Sequence, residues 1–176
     1  MRVYVRASRT VLLALLALAA PLVARAQYFS RNKIQYDEFK FEVLKTEHFD
    51  IYFYPSESYA ARLLARMAER WYLRESTLFD YQLHGRQAVI FYGSHPEFAQ
   101  TNAIGGDLDE GTGGVTEVLK RRIVLPAASS LAQTDHVIGH ELTHAFQYDI
   151  TGQGLGVNFR LPGAARLPLW FIEGMA

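Results

Sequence analysis

Two histidines separated by three residues, with a glutamate directly after the first, carry the clearest chemical signal in the chain: His140-Glu141-Leu142-Thr143-His144. The spacing is H-E-x-x-H. On a helix, residues i and i+4 lie one turn apart on one face, so two imidazoles can reach a single ion about 2.0–2.1 Å from each ring nitrogen. Glu141 sits at the edge of that face, where a carboxylate can meet a metal-bound water without ligating the metal. One zinc ion suits such a set, because zinc accepts two nitrogens and one oxygen and keeps a fourth position for water. It would lower the pKa of that water towards about 7 and polarise a substrate carbonyl. Glu141 is then the candidate general base, moving the water's proton to a leaving amine. The plain alternative is a helix whose two histidines are ordinary core or surface residues.

A third protein ligand is needed, and Glu173 is the candidate. It is the one carboxylate in Leu169-Trp170-Phe171-Ile172-Glu173-Gly174-Met175-Ala176, an otherwise apolar stretch. If that stretch is a buried helix, an isolated carboxylate there costs several kcal/mol unless it is paired or bound to metal. The alternatives are solvent exposure or a pair with an arginine such as Arg166. Other candidates are weaker. His136 lies one turn before His140, but a third helical histidine at that spacing gives poor tetrahedral geometry. Tyr148, one turn past His144, is either an oxyanion donor or a core aromatic. His95 reads as a loop or capping histidine. Asp107, Asp109 and Glu110 lie in a glycine-rich loop that lacks the EF-hand calcium pattern and, having no lysine, makes no phosphate cradle. No substrate-binding residue is identifiable.

These residues must be positioned by a mixture of strands and helices, an α+β arrangement. Phe41 to Leu44 and Phe49 to Tyr54, rich in aromatic and β-branched residues, read as strands around a Thr46-Glu47-His48 turn. Ser56 to about Phe79 is predicted helical. Its apolar stripe is Tyr59, Leu63, Met67, Trp71 and Leu78, with Leu64, Ala68 and Tyr72 alongside. Gln87 to Tyr92 reads as a buried strand. Ser94-His95-Pro96-Glu97 opens a short helical turn, with proline early and a capping glutamate. Val115 to Val118 and Arg121 to Leu125 read as strands around a Lys120 turn, closed by Pro126. Ser129 or Ser130 caps the motif helix, which runs to about Asp149. A glycine-containing loop, 151–163, leads to a last helix from Pro168.

The chain has 176 residues, 49% of them apolar, which is enough for one domain with a sizeable core. Net charge is zero, so the basic excess expected of a nucleic-acid or anionic-membrane surface is missing. Residues 1–26 read as a secretory signal peptide. Arg2, Arg6 and Arg9 precede the apolar run from Val11 to Ala20, and Ala24-Arg25-Ala26 supplies the small residues of a cleavage site before Gln27. The apolar run is shorter than the roughly 20 residues that span a bilayer. Cleavage would remove four of the 18 basic residues and none of the 18 acidic ones, leaving a mildly acidic chain. The reading is of an exported protein, periplasmic or extracellular. It has no cysteine, so stability must come from packing, a metal or neighbouring domains. The last helix has no C-terminal cap and no polar tail, so residues 27–176 are expected to be a domain incomplete at its C-terminus.

H-E-L-T-H together with W-F-I-E-G-M-A resembles the gluzincin metallopeptidases, whose third ligand is a glutamate on a following helix. The W-x-x-E-G-x-A form is similar to their aminopeptidase branch, although the 28 residues from 145 to 172 make a longer spacing than that branch has. The stretches KTEHFDIYFYP, TNAIGG, GTGGVTE, RRIVLP and GHELTHAFQYD resemble bacterial exported proteins with a peptidase-MA-like domain ahead of β-propeller repeats. The resemblance implies a zincin-like domain, with a small mixed sheet whose edge strand lies beside the motif helix and pairs with an extended peptide substrate. Val115 to Val118 or Arg121 to Leu125 could be that strand, as could an ordinary hairpin. It also implies a zinc peptidase with a C-terminal β-propeller in the same full-length chain. Two other functions compete with the peptidase. One is a binding module that keeps zinc as a structural staple beside the propeller, and the other is a metal-free scaffold.

Overall fold

A computed structural model of the chain describes residues 33–105, 108–117, 120–152 and 167–176. The predicted leader (residues 1–26), Asp107, Val118, Arg166 and most of the 151–163 loop lie outside these residues. Among the described residues, no helix is long and apolar enough to cross a membrane.

The expected α+β class holds. Five strands form one mixed sheet: β1 (Glu42–Lys45), β2 (Phe49–Phe53), β3 (Gln87–Tyr92), β4 (Val115–Glu117) and β5 (Arg122–Pro126), in the spatial order β1-β2-β3-β5-β4. The outer pairs, β1 with β2 and β4 with β5, are antiparallel, and the inner pairs are parallel. A parallel pair needs a crossover. That between β2 and β3 is made by α1 (Ser58–Phe79), after a single 3-10 turn at Pro55–Glu57. The short α2 (His95–Ala99) follows β3, α3 (Leu131–Ile150) follows β5, and α4 (Leu169–Met175) ends the chain.

Alternation along the strands sends Phe49, Ile51, Phe53, Val89, Phe91, Ile123 and Leu125 to one face. There they pack with Leu64 and Tyr72 of α1 and with Ile138, Leu142 and Phe146 of α3. Tyr54, Tyr92, Phe98 and Val124 form a smaller cluster on the opposite face.

Several boundaries and one stripe differ from the sequence reading: β2 ends at Phe53 rather than Tyr54, and α1 starts at Ser58 rather than Ser56. β1 starts and ends one residue later than predicted. β5 starts at Arg122, because Arg121 takes a left-handed backbone (φ 51°) and belongs to the turn. Pro126 does not close the unit but extends the strand, paired with Tyr92. In α1 the buried row is Ala61, Leu64, Ala65, Ala68, Tyr72 and Glu75, whereas Tyr59 and Leu78 are exposed. The alanines let this helix approach closely, and the larger Met67 and Trp71 flank the contact. Size therefore decided against the bulkier stripe.

Close approach also explains Gly139. A Cβ there would lie 2.5 Å from the Trp71 ring. The same indole donates Nε1–H to Asp135, one turn earlier on α3, at 3.1 Å. Together these contacts set the register of α3 on α1, one residue ahead of His140.

Glu75 is a buried carboxylate on α1, and its Oε2 has no partner. Burial pushes its carboxyl pKa above the ordinary 4.5, outweighing the attraction of Arg74 and a hydrogen bond with Thr143. A raised folded-state pKa contributes stability that is present below the unfolded pKa and lost as pH rises through the folded value. Glu75→Gln is therefore expected to match the parent near pH 4 and to be more stable at pH 8, by on the order of 1 kcal/mol. Thermal melts of metal-free protein at the two pH values check this. A glutamine variant that is less stable at pH 8 would show that the buried carboxylate is well satisfied.

Candidate metal centre

The predicted motif helix is formed, and its cap is decided. Ser130, not Ser129, takes the N-cap, and its hydroxyl accepts from the Gln133 backbone N–H at 3.2 Å. From Ile138 to Gln147, residues on nearly every face of α3 are buried. Such a helix must be enclosed on most sides, and here the sheet, α1, β4 and α4 surround it. At its far end, the buried Asp149 carboxylate accepts from the His84 backbone N–H at 2.8 Å and meets the Arg121 guanidinium at 3.1 Å.

His140 and His144 lie on one face, with their Nε2 atoms 3.2 Å apart. Glu173 Oε2 is 3.6 Å from each of them. A tetrahedral ion with bonds of about 2.0–2.1 Å holds its ligand atoms roughly 3.3–3.4 Å apart. The three observed separations bracket that value, so the donor set fits zinc in both chemistry and spacing. The side chains grade from the deep His144 (9% exposed) through His140 (31%) to Glu173 (50%), which leaves the site open on the glutamate side.

The protonation state of His140 favours ligation. Burial holds the His140 pKa below its ordinary 6.5, and the neighbouring His144 acts in the same direction against the pull of Glu173. A neutral imidazole is the form that binds metal.

Glu141 is 5% exposed and points towards β4. The Thr116 hydroxyl lies 2.6 Å from its Oε2 and 2.8 Å from its backbone carbonyl oxygen. Burial raises the Glu141 pKa above the ordinary 4.5, and the Thr116 hydrogen bond opposes that shift. Gly114 adjoins the same carboxylate, since a Cβ there would come within 3.0 Å of Glu141 Cγ. Glycine thus keeps space open beside the side chain.

Glu173 does not sit in a buried apolar helix, contrary to the sequence expectation. In α4, Leu169 and Trp170 are 70% and 74% exposed. The case for Glu173 as a ligand is its position opposite both histidines, not a desolvation cost. His136 is exposed, with its ring 6.4 Å from that of His140, and stands outside the ligand cluster. Tyr148 is half-buried and its ring stacks on His144 at 6.2 Å. Burial, then Glu141 and Glu173, raise its pKa, so its hydroxyl keeps its proton. His95 lies 2.9 Å from the Asp109 carbonyl oxygen, and Asp109 also accepts from the Thr112 hydroxyl at 2.7 Å, so this part of the acidic loop is held by its own hydrogen bonds. The hairpin alternatives also separate. β4 is an edge strand of the sheet among the described residues and adjoins α3, while β5 is internal.

Sequence reasoning missed two residues. Thr116 could not be found, because its partner lies across a sheet-to-helix contact 25 residues away. Gln147 carried a signal, since it lies three residues after His144 on the same helical face, but glutamine alone does not announce a role. Comparison with family models, curated proteins and solved structures returned no significant match to this chain.

Proposed function

We propose that this chain is a zinc-dependent peptidase domain of zincin-like architecture, resembling the gluzincins. The observation that carries the reading is the convergence of His140, His144 and Glu173 from two helices onto one zinc-sized triangle, with the buried Glu141 directly alongside. Bound zinc would supply an acidified water and a polarised carbonyl. The residues of the chain supply the rest. Glu141 accepts a proton and returns it to the leaving amine, and its burial raises its proton affinity towards that task. Thr116 orients the carboxylate from β4. The edge of β4, unpaired among the described residues, offers backbone groups to an extended peptide, which would bring a scissile bond beside Glu141. The leader pattern in residues 1–26 supports a periplasmic or extracellular setting for this activity.

The test is elemental analysis of the purified chain, followed by a peptide-library digest with and without chelator. About one zinc per chain and chelator-sensitive cleavage are expected. Folded protein without zinc would overturn the metal centre. Zinc without turnover would leave a metal-stapled binding module.

A further inference from the structure

We propose that Gln147 is a positioning residue that sets the tautomer of His144 and fastens the Glu173 helix to the motif helix through one side-chain amide. Its purpose rests on the zinc reading, but its two hydrogen bonds do not. The amide is buried, and its two ends face different helices. Nε2 donates to the Ile172 carbonyl oxygen at 2.9 Å. Oε1 lies 3.0 Å from His144 Nδ1.

The polarity of this pair is forced. A backbone carbonyl can only accept, so the NH₂ end of the amide must face Ile172 and the oxygen must face the imidazole. An amide oxygen can only accept in turn, so His144 Nδ1 carries the hydrogen. In the neutral ring the lone pair is then on Nε2, the atom 3.2 Å from His140 Nε2 and 3.6 Å from Glu173 Oε2. A histidine ligand needs its other nitrogen occupied in this way.

The second bond acts on the third ligand. Ile172 directly precedes Glu173, and its carbonyl belongs to the short α4. Gln147 donates to that carbonyl and so holds the backbone next to Glu173. α4 buries little of its own surface, so a hydrogen bond from the buried side of α3 contributes to its placement. One residue therefore ties the deepest ligand to the most exposed one.

The experiment compares the full chain with Gln147→Leu, which removes both bonds at similar volume, and Gln147→Glu, which keeps the acceptor for His144 but loses the donor to Ile172. Nitrogen-15 NMR of metal-free protein at pH 8 reads the His144 tautomer, zinc titration reads the affinity, and circular dichroism checks folding. In the parent, Nδ1 of His144 should be protonated and Nε2 not. Gln147→Leu should lose that preference and bind zinc about 10- to 100-fold more weakly. Gln147→Glu should keep the tautomer and still weaken zinc binding. If the leucine variant does not fold, the zinc affinity of the glutamate variant tests the bond to Ile172 and the His144 tautomer of the parent tests the other bond. A parent with His144 protonated on Nε2, or folded variants that match its tautomer and zinc affinity, would overturn the proposal. A merely structural glutamine would lower the melting temperature and leave both readouts unmoved. The expected tautomers in a parent that binds no zinc would uphold the role of Gln147 and reject the zinc reading.

Discussion

Glu141→Gln is expected to keep about one zinc per chain and to lose peptide hydrolysis by about 10³-fold, within the range that a positioned acid–base group contributes. The substitution replaces one oxygen by nitrogen and changes neither length nor volume. Glu141 is not among the three clustered donors, so the metal should stay. Its hydrogen-bond partner should stay as well, because a glutamine carbonyl can accept from the Thr116 hydroxyl that now lies 2.6 Å from Oε2. What is lost is the capacity to take and return a proton. Fold and metal content are thus held constant while the chemistry is removed. Turnover rates on a cleavable peptide, measured beside zinc content, make the comparison. Hydrolysis unchanged in a zinc-loaded Gln variant would take Glu141 out of the base role and turn attention to Tyr148 and to residues outside the described segments.

Glu173→Ala should act on the opposite quantity. It is expected to weaken zinc binding by more than about 100-fold, the upper range for a residue that merely supports a ligand. Two histidines would remain as protein ligands where a catalytic zinc site takes three. The fold should hardly notice. The side chain is half exposed, and surface substitutions of this kind stay within about 0.5 kcal/mol. Competition titration with a chromogenic chelator measures the affinity, and a thermal melt of the metal-free protein measures the fold. An unaltered zinc affinity would mean that the ion, if bound, is held by the helical histidines with some other donor. Loss of stability without zinc would mean that Glu173 is a structural residue.

Local patterns in this chain were legible wherever the cause was local. The H-E-x-x-H spacing on an apolar helix is a property of one turn of backbone, and α3 forms with its N-cap at one of the two predicted serines. β3 was read to the residue, because an apolar β-branched run flanked by polar residues states its own ends. Where competition between residues decided, the reading slipped. In α1, large apolar side chains marked one stripe, and the helix instead buried the neighbouring row rich in alanine, since close packing rewards a fit of shapes rather than bulk alone. At Arg121, a left-handed residue moved the start of β5, and a charged side chain gives no warning of that conformation.

The sequence by itself determined the donor types, the helical spacing of His140 and His144, and the α+β class, because periodicity and capping act over a few residues. Tertiary structure decided what those residues do together. It brought Glu173 from a separate helix to 3.6 Å from both histidines, set Thr116 of an edge strand against Glu141, and placed Gln147 between His144 and Ile172. Each of these contacts joins segments 25 or more residues apart, apart from the His144–Gln147 bond within α3. The physical reason is that burial is shared. Whether a polar side chain faces water or a partner depends on which elements pack around it, and no window of neighbouring residues contains that information.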